Sequence, residues 1–213
     1  MSRVPNLFKV ILLILILSGC SGLSGDISNG RYYSPNKVFS VKVPYMYRHG
    51  AKKDDNFNKD FGKGEPKFDA GGVKFSDDFG RFFRIDVFRL PEKINVNNKN
   101  VLTNTENTML KIYQEGVIEA KIVKQEFFQL DEKTINYFIT HIPRGSTIVS
   151  NGERKDVYRG ALTFINEEYV YIFSTQSTYW EFKKKEAVKE HIFDEMKKYL
   201  VDSVDTFEAN NKN

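Results

Sequence analysis

Paired acidic residues are the first candidates for chemistry in this chain, because two neighbouring carboxylates can hold a metal ion or act as a general acid and base. Such pairs occur at Asp54–Asp55, Asp77–Asp78 and Glu167–Glu168. Each pair falls in a segment that is predicted to turn, where adjacent side chains point apart. The sequence therefore favours solvated turns at all three places over a metal or acid–base site.

Histidines would be the next source of metal ligands or general bases. The chain has three, His49, His141 and His191, which fall on a predicted loop, strand and helix. Their spacing matches neither HxH nor HExxH, the patterns that place two histidines on one metal. No metal site is predicted from them.

Hydroxyl nucleophiles and phosphate loops also lack their usual surroundings. Gly145-Ser146-Thr147 and the segment Ser174 to Thr178 offer hydroxyl groups without a Gly-x-Ser-x-Gly turn. Ala70-Gly71-Gly72 leads into a predicted strand and not into a helix N-terminus, so it predicts a bend and not a phosphate cradle. We therefore predict no catalytic residue and no cofactor.

The single thiol of the chain, Cys20, has the clearest chemical context. It follows Leu17-Ser18-Gly19, and small residues before a cysteine allow a peptidase to cut there while the thiol accepts a diacylglycerol. Upstream lie the basic residues Arg3 and Lys9 and the apolar run Val10 to Leu17, which is too short to span a bilayer. This order resembles the lipobox of bacterial lipoprotein precursors.

That resemblance implies that residues 1–19 are a signal peptide and that Cys20 becomes a lipid-modified N-terminus held at a membrane. The alternative is an uncleaved anchor with an incidental cysteine; both place the rest of the chain outside the cytoplasm. Ser21 follows the cysteine where aspartate would retain a lipoprotein at the inner membrane, so an outer-membrane location is implied if the cell is Gram-negative.

Composition limits the mature domain further. With Cys20 lipidated, it has no disulfide and no cysteine metal site. Removal of Arg3 and Lys9 with the signal lowers the formal charge from +4 to about +2, which gives no reason to expect nucleic-acid binding. An aromatic content of 14% favours a sheet-rich core.

These residues must be positioned by one domain, which we predict over residues 31–208. Residues 20–30 are small and polar and predict a flexible tether, and residues 209–213 predict a disordered tail. The polar segment from Arg48 to Pro66 predicts a solvated excursion. Alternating patterns predict a hairpin around Pro35-Asn36 and then strands at Gly72–Phe79, Arg81–Leu90, Ile118–Leu130, Thr134–Ile142, Val157–Ile165 and Tyr169–Thr175.

Two helices are expected between and after these strands. Thr103 and Glu106 have the spacing of a capping box, which predicts a short helix from Asn104 to about Glu115 with Gly116 as its C-cap. A long amphipathic helix is predicted from apolar residues four apart, with the charged face from Lys183 to Lys198 in solvent: Val188, Ile192, Met196, Leu200, Val204 and Phe207. Trp180, just before it, is predicted to pack this helix on the sheet, with a partner-binding edge as the alternative.

The segment Tyr33-Ser34-Pro35-Asn36-Lys37-Val38-Phe39-Ser40-Val41-Lys42-Val43-Pro44 resembles the start of PsbP-like domains, and Ser203 to Phe207 is similar to their closing helix. The resemblance covers about Arg31 to Glu208. It implies an α+β fold in which an antiparallel sheet is flanked by helices, an α/β/α sandwich. It also implies a non-catalytic accessory or assembly protein, and it transfers no functional residue.

Three functions follow as hypotheses. The first is a lipid-anchored envelope protein that is not an enzyme and binds another envelope protein, attached to the membrane through Cys20. The second is a carrier of a lipid or other small apolar ligand, held in a pocket between sheet and helices. The third is a hydrolase with an unfamiliar site.

Overall fold

The computed structural model describes residues 23–44, 52–58, 61–62, 69–78, 80–90, 99–145, 149–150, 153–177 and 186–209. Their helices are α1 (Lys99–Gly116) and α2 (Glu186–Val204), with a short 3-10 turn at Pro35–Lys37. The strands are β1 (Asp26–Ser28), β2 (Arg31–Tyr33), β3 (Phe39–Lys42), β4 (Lys52–Phe57), β5 (Ala70–Ser76), β6 (Phe82–Arg89), β7 (Lys121–Leu130), β8 (Lys133–Ile142), β9 (Val149–Ser150), β10 (Glu153–Arg154), β11 (Val157–Asn166), β12 (Tyr169–Ser177) and β13 (Glu208–Ala209).

A seven-stranded antiparallel sheet, in the order β4-β5-β6-β12-β11-β8-β7, forms the centre of the molecule. Short turns connect three of the six neighbouring pairs, β5–β6, β7–β8 and β11–β12, as the spacing of the predicted strands requires. Asp131 and Glu167 stand at positive φ in two of the turns, at 52° and 53°. The predicted strands and the antiparallel pairing are confirmed, although β5 ends at Ser76 and β7 begins only at Lys121.

One face of this sheet, called the α2 face, carries the aromatic core. Phe83, Phe164, Tyr171 and Phe173 are buried there and contact one another at ring distances near 5 to 6 Å. Helix α2 lies on this face through buried residues that recur with helical spacing, Ile192, Met196, Leu200 and Val204. Phe207, which the periodicity assigns to the same row, follows the end of the helix and packs its ring 4.6 Å from that of Tyr171.

A second, four-stranded sheet in the order β1-β2-β3-β13 also lies on the α2 face. Its buried rings Tyr32 and Phe39 contact Phe75 and Tyr171 of the large sheet, each at 5.8 Å between ring centroids. Ala209 pairs with Phe39 in this sheet, so the ordered domain extends one residue into the segment predicted as a tail.

The opposite face of the large sheet is called the α1 face, and helix α1 is the helix of the described residues that covers it. Val101 and Met109 of the helix pack against Phe138, Ala161 and Ile172 of the sheet. The molecule therefore has helix α1 on one side of the sheet and helix α2 with the small sheet on the other. This is the predicted sandwich of an antiparallel sheet between helices.

The start of the domain differs from the predicted tether. Leu23 pairs with Phe57, the Gly25 N–H donates to Asp55 at 2.7 Å, and β1 forms a hairpin with β2. Asn29 and Gly30 make the turn with φ of 50° and 71°, and Asn-Gly is the preferred pair for such a turn. Residues 23–30 therefore belong to the domain, because the Asn-Gly pair that suggested a tether closes a hairpin.

Two more elements differ from their predictions. Lys52–Phe57, inside the predicted excursion, forms the edge strand β4, which carries charged residues because one of its sides is open to solvent. Helix α1 begins at Lys99, so Thr103 and Glu106 lie inside the helix and form no capping box. Of the helices in the described ranges, none is long and apolar enough to cross a membrane.

Candidate functional site

An open groove lies on the α1 face, between helix α1 and strands β6 and β12. Its volume is about 590 Å³, within the usual size range of small-molecule sites. We call it the α1 groove. It is lined by Phe82, Arg84, Asp86, Phe88, Val101, Asn104, Thr105, Thr108, Met109, Ile112, Tyr113, Arg159, Ile172 and Ser174.

Arg159, from β11, stands at one end of the groove between two aromatic rings. Its guanidinium carbon is 5.4 Å from the ring centre of Phe82 and 4.9 Å from that of Tyr113. Its Nε donates to Gln176 Oε1 at 2.8 Å, and Gln176 in turn donates to the Gly80 carbonyl at 3.0 Å. Stacking and this hydrogen bond fix the guanidinium in one orientation. Burial raises the pKa of Tyr113, although the charge of Arg159 opposes the shift.

Arg84 and Asp86, two residues apart on β6, form an ion pair along one wall. Arg84 Nη2 lies 2.6 Å from Asp86 Oδ1, and its Nε donates to both carboxylate oxygens. Gly72 of the neighbouring strand makes room for this pair, since a Cβ there would lie 2.6 Å from Asp86 Oδ1. The carboxylate of Asp86 is thus satisfied by its neighbour.

The rest of the lining is mostly apolar. Phe88, Val101 and Ile172 close the end opposite Arg159, and Met109 contributes to the helix wall. Ile112 lies at the rim with 58% of its surface exposed. The groove therefore combines a cationic end with an apolar length.

Under helix α1, beside the groove, Glu106 is buried to 3% exposure. Its carboxylate accepts a hydrogen bond from Asn136 Nδ2 at 2.7 Å and another from Gln125 Nε2 at 2.5 Å. Two amide donors from β7 and β8 thus hold the helix to the sheet through one acid. The Thr140 hydroxyl on the same face is buried without a hydrogen-bond partner among the described residues.

The three pairs of acidic residues have different hydrogen-bond and ion-pair partners. Asp55 lies in a strand and not in a turn, and it accepts hydrogen bonds from Gly25 and Ser24. Asp77 pairs with Arg81 at 2.7 Å, and Glu168 with Arg89 at 2.6 Å. Within the ranges that the structure describes, no group of three or more metal-ligating side chains occurs.

The histidines lie apart as well. His141 Nε2 is 2.9 Å from Asp156 Oδ2, and its ring stacks on Tyr158 at 4.8 Å. His191 lies 3.2 Å from Glu195 on the exposed side of α2. His49 is outside the described residues, and so are the predicted lipobox with Cys20, Ser146-Thr147, Thr178, Trp180 and Lys183 to Lys185.

Of the predicted hydroxyl groups, Ser174 lines the α1 groove, while the Thr175 hydroxyl donates to the Phe82 carbonyl at 2.8 Å. Sequence reasoning missed Arg159, Tyr113 and the buried Glu106. One signal was present: Arg159 interrupts the small and apolar sequence of β11, and a cation in a central strand needs a compensating environment.

The layers and strand order define a PsbP-like fold. The chain is similar to the solution structure of cyanobacterial PsbP (CyanoP) from Synechocystis sp. PCC 6803, with a TM-score of 0.53 and 13% sequence identity. The match covers 89% of this chain and 99% of that chain. No protein-family model matches the sequence, and no curated protein matches it. The resemblance seen in the sequence is thus confirmed for the fold.

Proposed function

We propose that this chain is a lipid-anchored accessory module of a bacterial cell envelope, which has no enzymatic activity of its own and binds another envelope protein. The lipobox at Leu17-Ser18-Gly19-Cys20 supports the anchor. The PsbP-like fold supports an accessory role, since the resemblance implies non-catalytic assembly proteins.

The observation that carries the proposal is the short connection between Cys20 and the domain. Only Ser21 and Gly22 lie between Cys20 and Leu23, which is paired with Phe57, so the connection is three residue steps long. An extended chain of that length spans about 10 Å. A lipid on Cys20 would therefore hold the domain against the bilayer with one end facing it.

Strand register indicates which end that is. Phe57 pairs with Gly71, Ala70 with Phe88, and Tyr169 with Arg89, so the Phe57 end of the sheet continues to the turn at Glu167–Glu168. The turn between β5 and β6, at Asp78, lies at the other end of the same strands. In the anchored protein Glu167 would be near the lipid and Asp78 far from it.

The anchor is tested by palmitate labelling of cells that produce the chain or its Cys20→Ala variant. We expect label on the natural chain and none on the variant. The mass of the mature natural chain should be that of a polypeptide that begins at Cys20. A mature chain that still begins at Met1, or an unmodified sulfur at position 20, contradicts the proposed lipid anchor.

The orientation is tested with a fluorophore on a cysteine introduced at Glu167→Cys or Asp78→Cys. Cys20 is the only natural cysteine, so a lipidated chain offers one free thiol in each variant. In liposomes that contain headgroup spin labels, we expect stronger quenching at position 167 than at 78. Equal quenching would mean that the domain is not held by its Phe57 end.

The partner is tested by photo-crosslinking in cells. A photoreactive residue is placed at exposed positions, once in the natural chain and once with Cys20→Ala. Crosslinks to one defined envelope protein that decline when the anchor is removed support the proposal. A domain that captures no envelope protein, or the same proteins with and without the anchor, contradicts it.

A further inference from the structure

Arg159 is a cation without an anionic partner in the described part of the chain. The other groove arginine, Arg84, is neutralised by Asp86, whereas the ion pairs of the described residues include none with Arg159. Its guanidinium carbon lies near the rings of Phe82 and Tyr113, its Nε donates to Gln176, and the Tyr113 side chain also makes a hydrogen bond with it. The N–H groups that these contacts leave over have the geometry to bind a carboxylate.

Lys74 adds positive charge beside this end of the groove. Its Nζ lies 5.5 Å from the ring centre of Phe82, the ring that also stacks on Arg159. Asp54 stands opposite Lys74 in the register of β4 and β5, and Asp86 pairs with Arg84, so these two acids and three cations leave one net positive charge, that of Arg159. The charge at this end of the groove favours an anionic group.

The apolar part of the groove runs away from that cationic end as one narrow strip. Along β6, Phe88 lies six positions after Phe82, a distance of about 20 Å. Along α1, Tyr113 lies twelve positions after Val101, a distance of about 18 Å. The groove volume of about 590 Å³ over this length of about 20 Å gives a mean cross-section of about 30 Å², which fits one extended alkyl chain and not a pair.

We propose that the α1 groove binds a long-chain monocarboxylate, a free fatty acid, with its carboxylate on Arg159 and its alkyl chain along Ile172, Met109, Val101 and Phe88. The positive charge of Arg159 favours a fatty acid over a neutral lipid. The single strip favours a lipid with one alkyl chain over a lipid with two. This site goes beyond the proposed anchoring and partner binding, and it does not depend on either.

The test uses the full purified chain in phosphatidylcholine nanodiscs, with empty nanodiscs as background, and a diazirine analogue of palmitic acid as the probe. We expect crosslinks in peptides from α1, β6 and β12, which unlabelled palmitate displaces. Hexadecanol, which has the same chain without the charge, should displace at least tenfold less effectively. Equal displacement by hexadecanol, or crosslinks spread over the whole surface, would overturn the proposal. Displacement by lysophosphatidylcholine as strong as that by palmitate would also overturn it.

Matched variants separate charge from simple hydrophobic contact. At the exposed rim, Ile112→Glu should weaken crosslinking at least fivefold because its carboxylate competes for Arg159 and repels the ligand, whereas Ile112→Lys should not. Ile118→Glu is the control, since Ile118 is 81% exposed and lies outside the α1 groove. Arg159→Gln should weaken crosslinking about tenfold. If Ile112→Glu and Ile112→Lys behave alike, the charge selection proposed here is wrong.

Discussion

Glu106 is a buried acid that is held by two amides, and the ion pairs of the described residues do not include it. Replacement by alanine removes the acceptor and leaves the amide groups of Asn136 and Gln125 without their partner. We expect Glu106→Ala to lower the free energy of unfolding by about 3 kcal/mol, measured by urea denaturation. Glu106→Gln keeps an acceptor oxygen and should cost less.

The control for that change lies on the same helix. Glu115 is exposed near the end of α1, so Glu115→Ala should change the free energy of unfolding by less than about 0.5 kcal/mol. Equal effects of the two alanine substitutions would mean that helix propensity, and not the buried acceptor, explains the result.

Gly72 is required at its position by a close approach. A Cβ there would lie 2.6 Å from Asp86 Oδ1 and 2.8 Å from the Ile85 carbonyl oxygen. Gly72→Ala should therefore destabilise the protein by about 1–3 kcal/mol in thermal or urea unfolding, as overpacking does. Gly116→Ala meets nothing within 4 Å and should leave stability unchanged or raise it by about 0.5 kcal/mol. A neutral Gly72→Ala would show that the Arg84–Asp86 pair shifts freely.

At the scale of elements, the first strand depends on one acid. Asp55, whose side chain is 4% exposed, accepts hydrogen bonds from the Gly25 N–H and Ser24 and pairs with Lys53. In Asp55→Ala we expect amide hydrogen exchange of residues 23–28 to become about tenfold faster, because a charge-assisted bond is lost, while the large sheet stays protected. Asp54→Ala, the exposed neighbour, should leave exchange unchanged. If both variants behave alike, the strand is held by its pairing with β2 alone.

The elements that the sequence predicts well are those whose burial produces a period. In β6, Phe83, Ile85 and Val87 alternate with Arg84 and Asp86 because one side of the strand faces the aromatic core. Helix α2 is equally evident in the sequence because Ile192, Met196 and Leu200 recur every four residues along its buried side. Both elements were predicted close to their observed positions.

The elements that the sequence misplaces are governed by partners far along the chain. Strand β4 is polar and pairs only at the sheet edge, so nothing in Lys52 to Asn56 distinguishes it from a loop. The capping-box prediction failed because helix α1 begins at Lys99, and Glu106 instead binds amides that lie 19 and 30 residues further along the chain. The α1 groove could not be predicted for the same reason, since Arg159 meets Phe82 and Tyr113 only after the sheet is assembled.

At the scale of the whole molecule, the two faces of the large sheet have different characters. The α2 face is filled with aromatic rings, and the α1 face combines polar residues with the groove under a single helix. The α2 face supplies most of the buried apolar area, which is the main stabilising term in folding. The α1 face can therefore carry polar residues without loss of this aromatic core.

The aromatic core also makes the molecule sensitive to alkali. Burial raises the pKa values of Tyr32, Tyr137, Tyr169 and Tyr171 above the ordinary value of 10.0, and nearby carboxylates assist at all four, through a hydrogen bond at Tyr32 and Tyr169. In the unfolded chain these hydroxyls ionise at their ordinary pKa, while in the folded chain they stay neutral. Stability is therefore complete below pH 10 and declines as the pH rises above it, by up to about 1.4 kcal/mol per pH unit for each tyrosine.

We therefore expect the free energy of unfolding in urea to be constant between pH 8 and 9.5 and to decline steeply above pH 10. Tyrosinate absorbance should rise in two stages, the second together with the loss of circular dichroism, because the buried hydroxyls ionise only on unfolding. Tyr171→Phe keeps the ring in the core but removes one ionisable group, so its decline above pH 10 should be shallower. If all the tyrosinate absorbance develops while the dichroism is still native, these hydroxyls are open to solvent and the packing assigned to the α2 face is wrong.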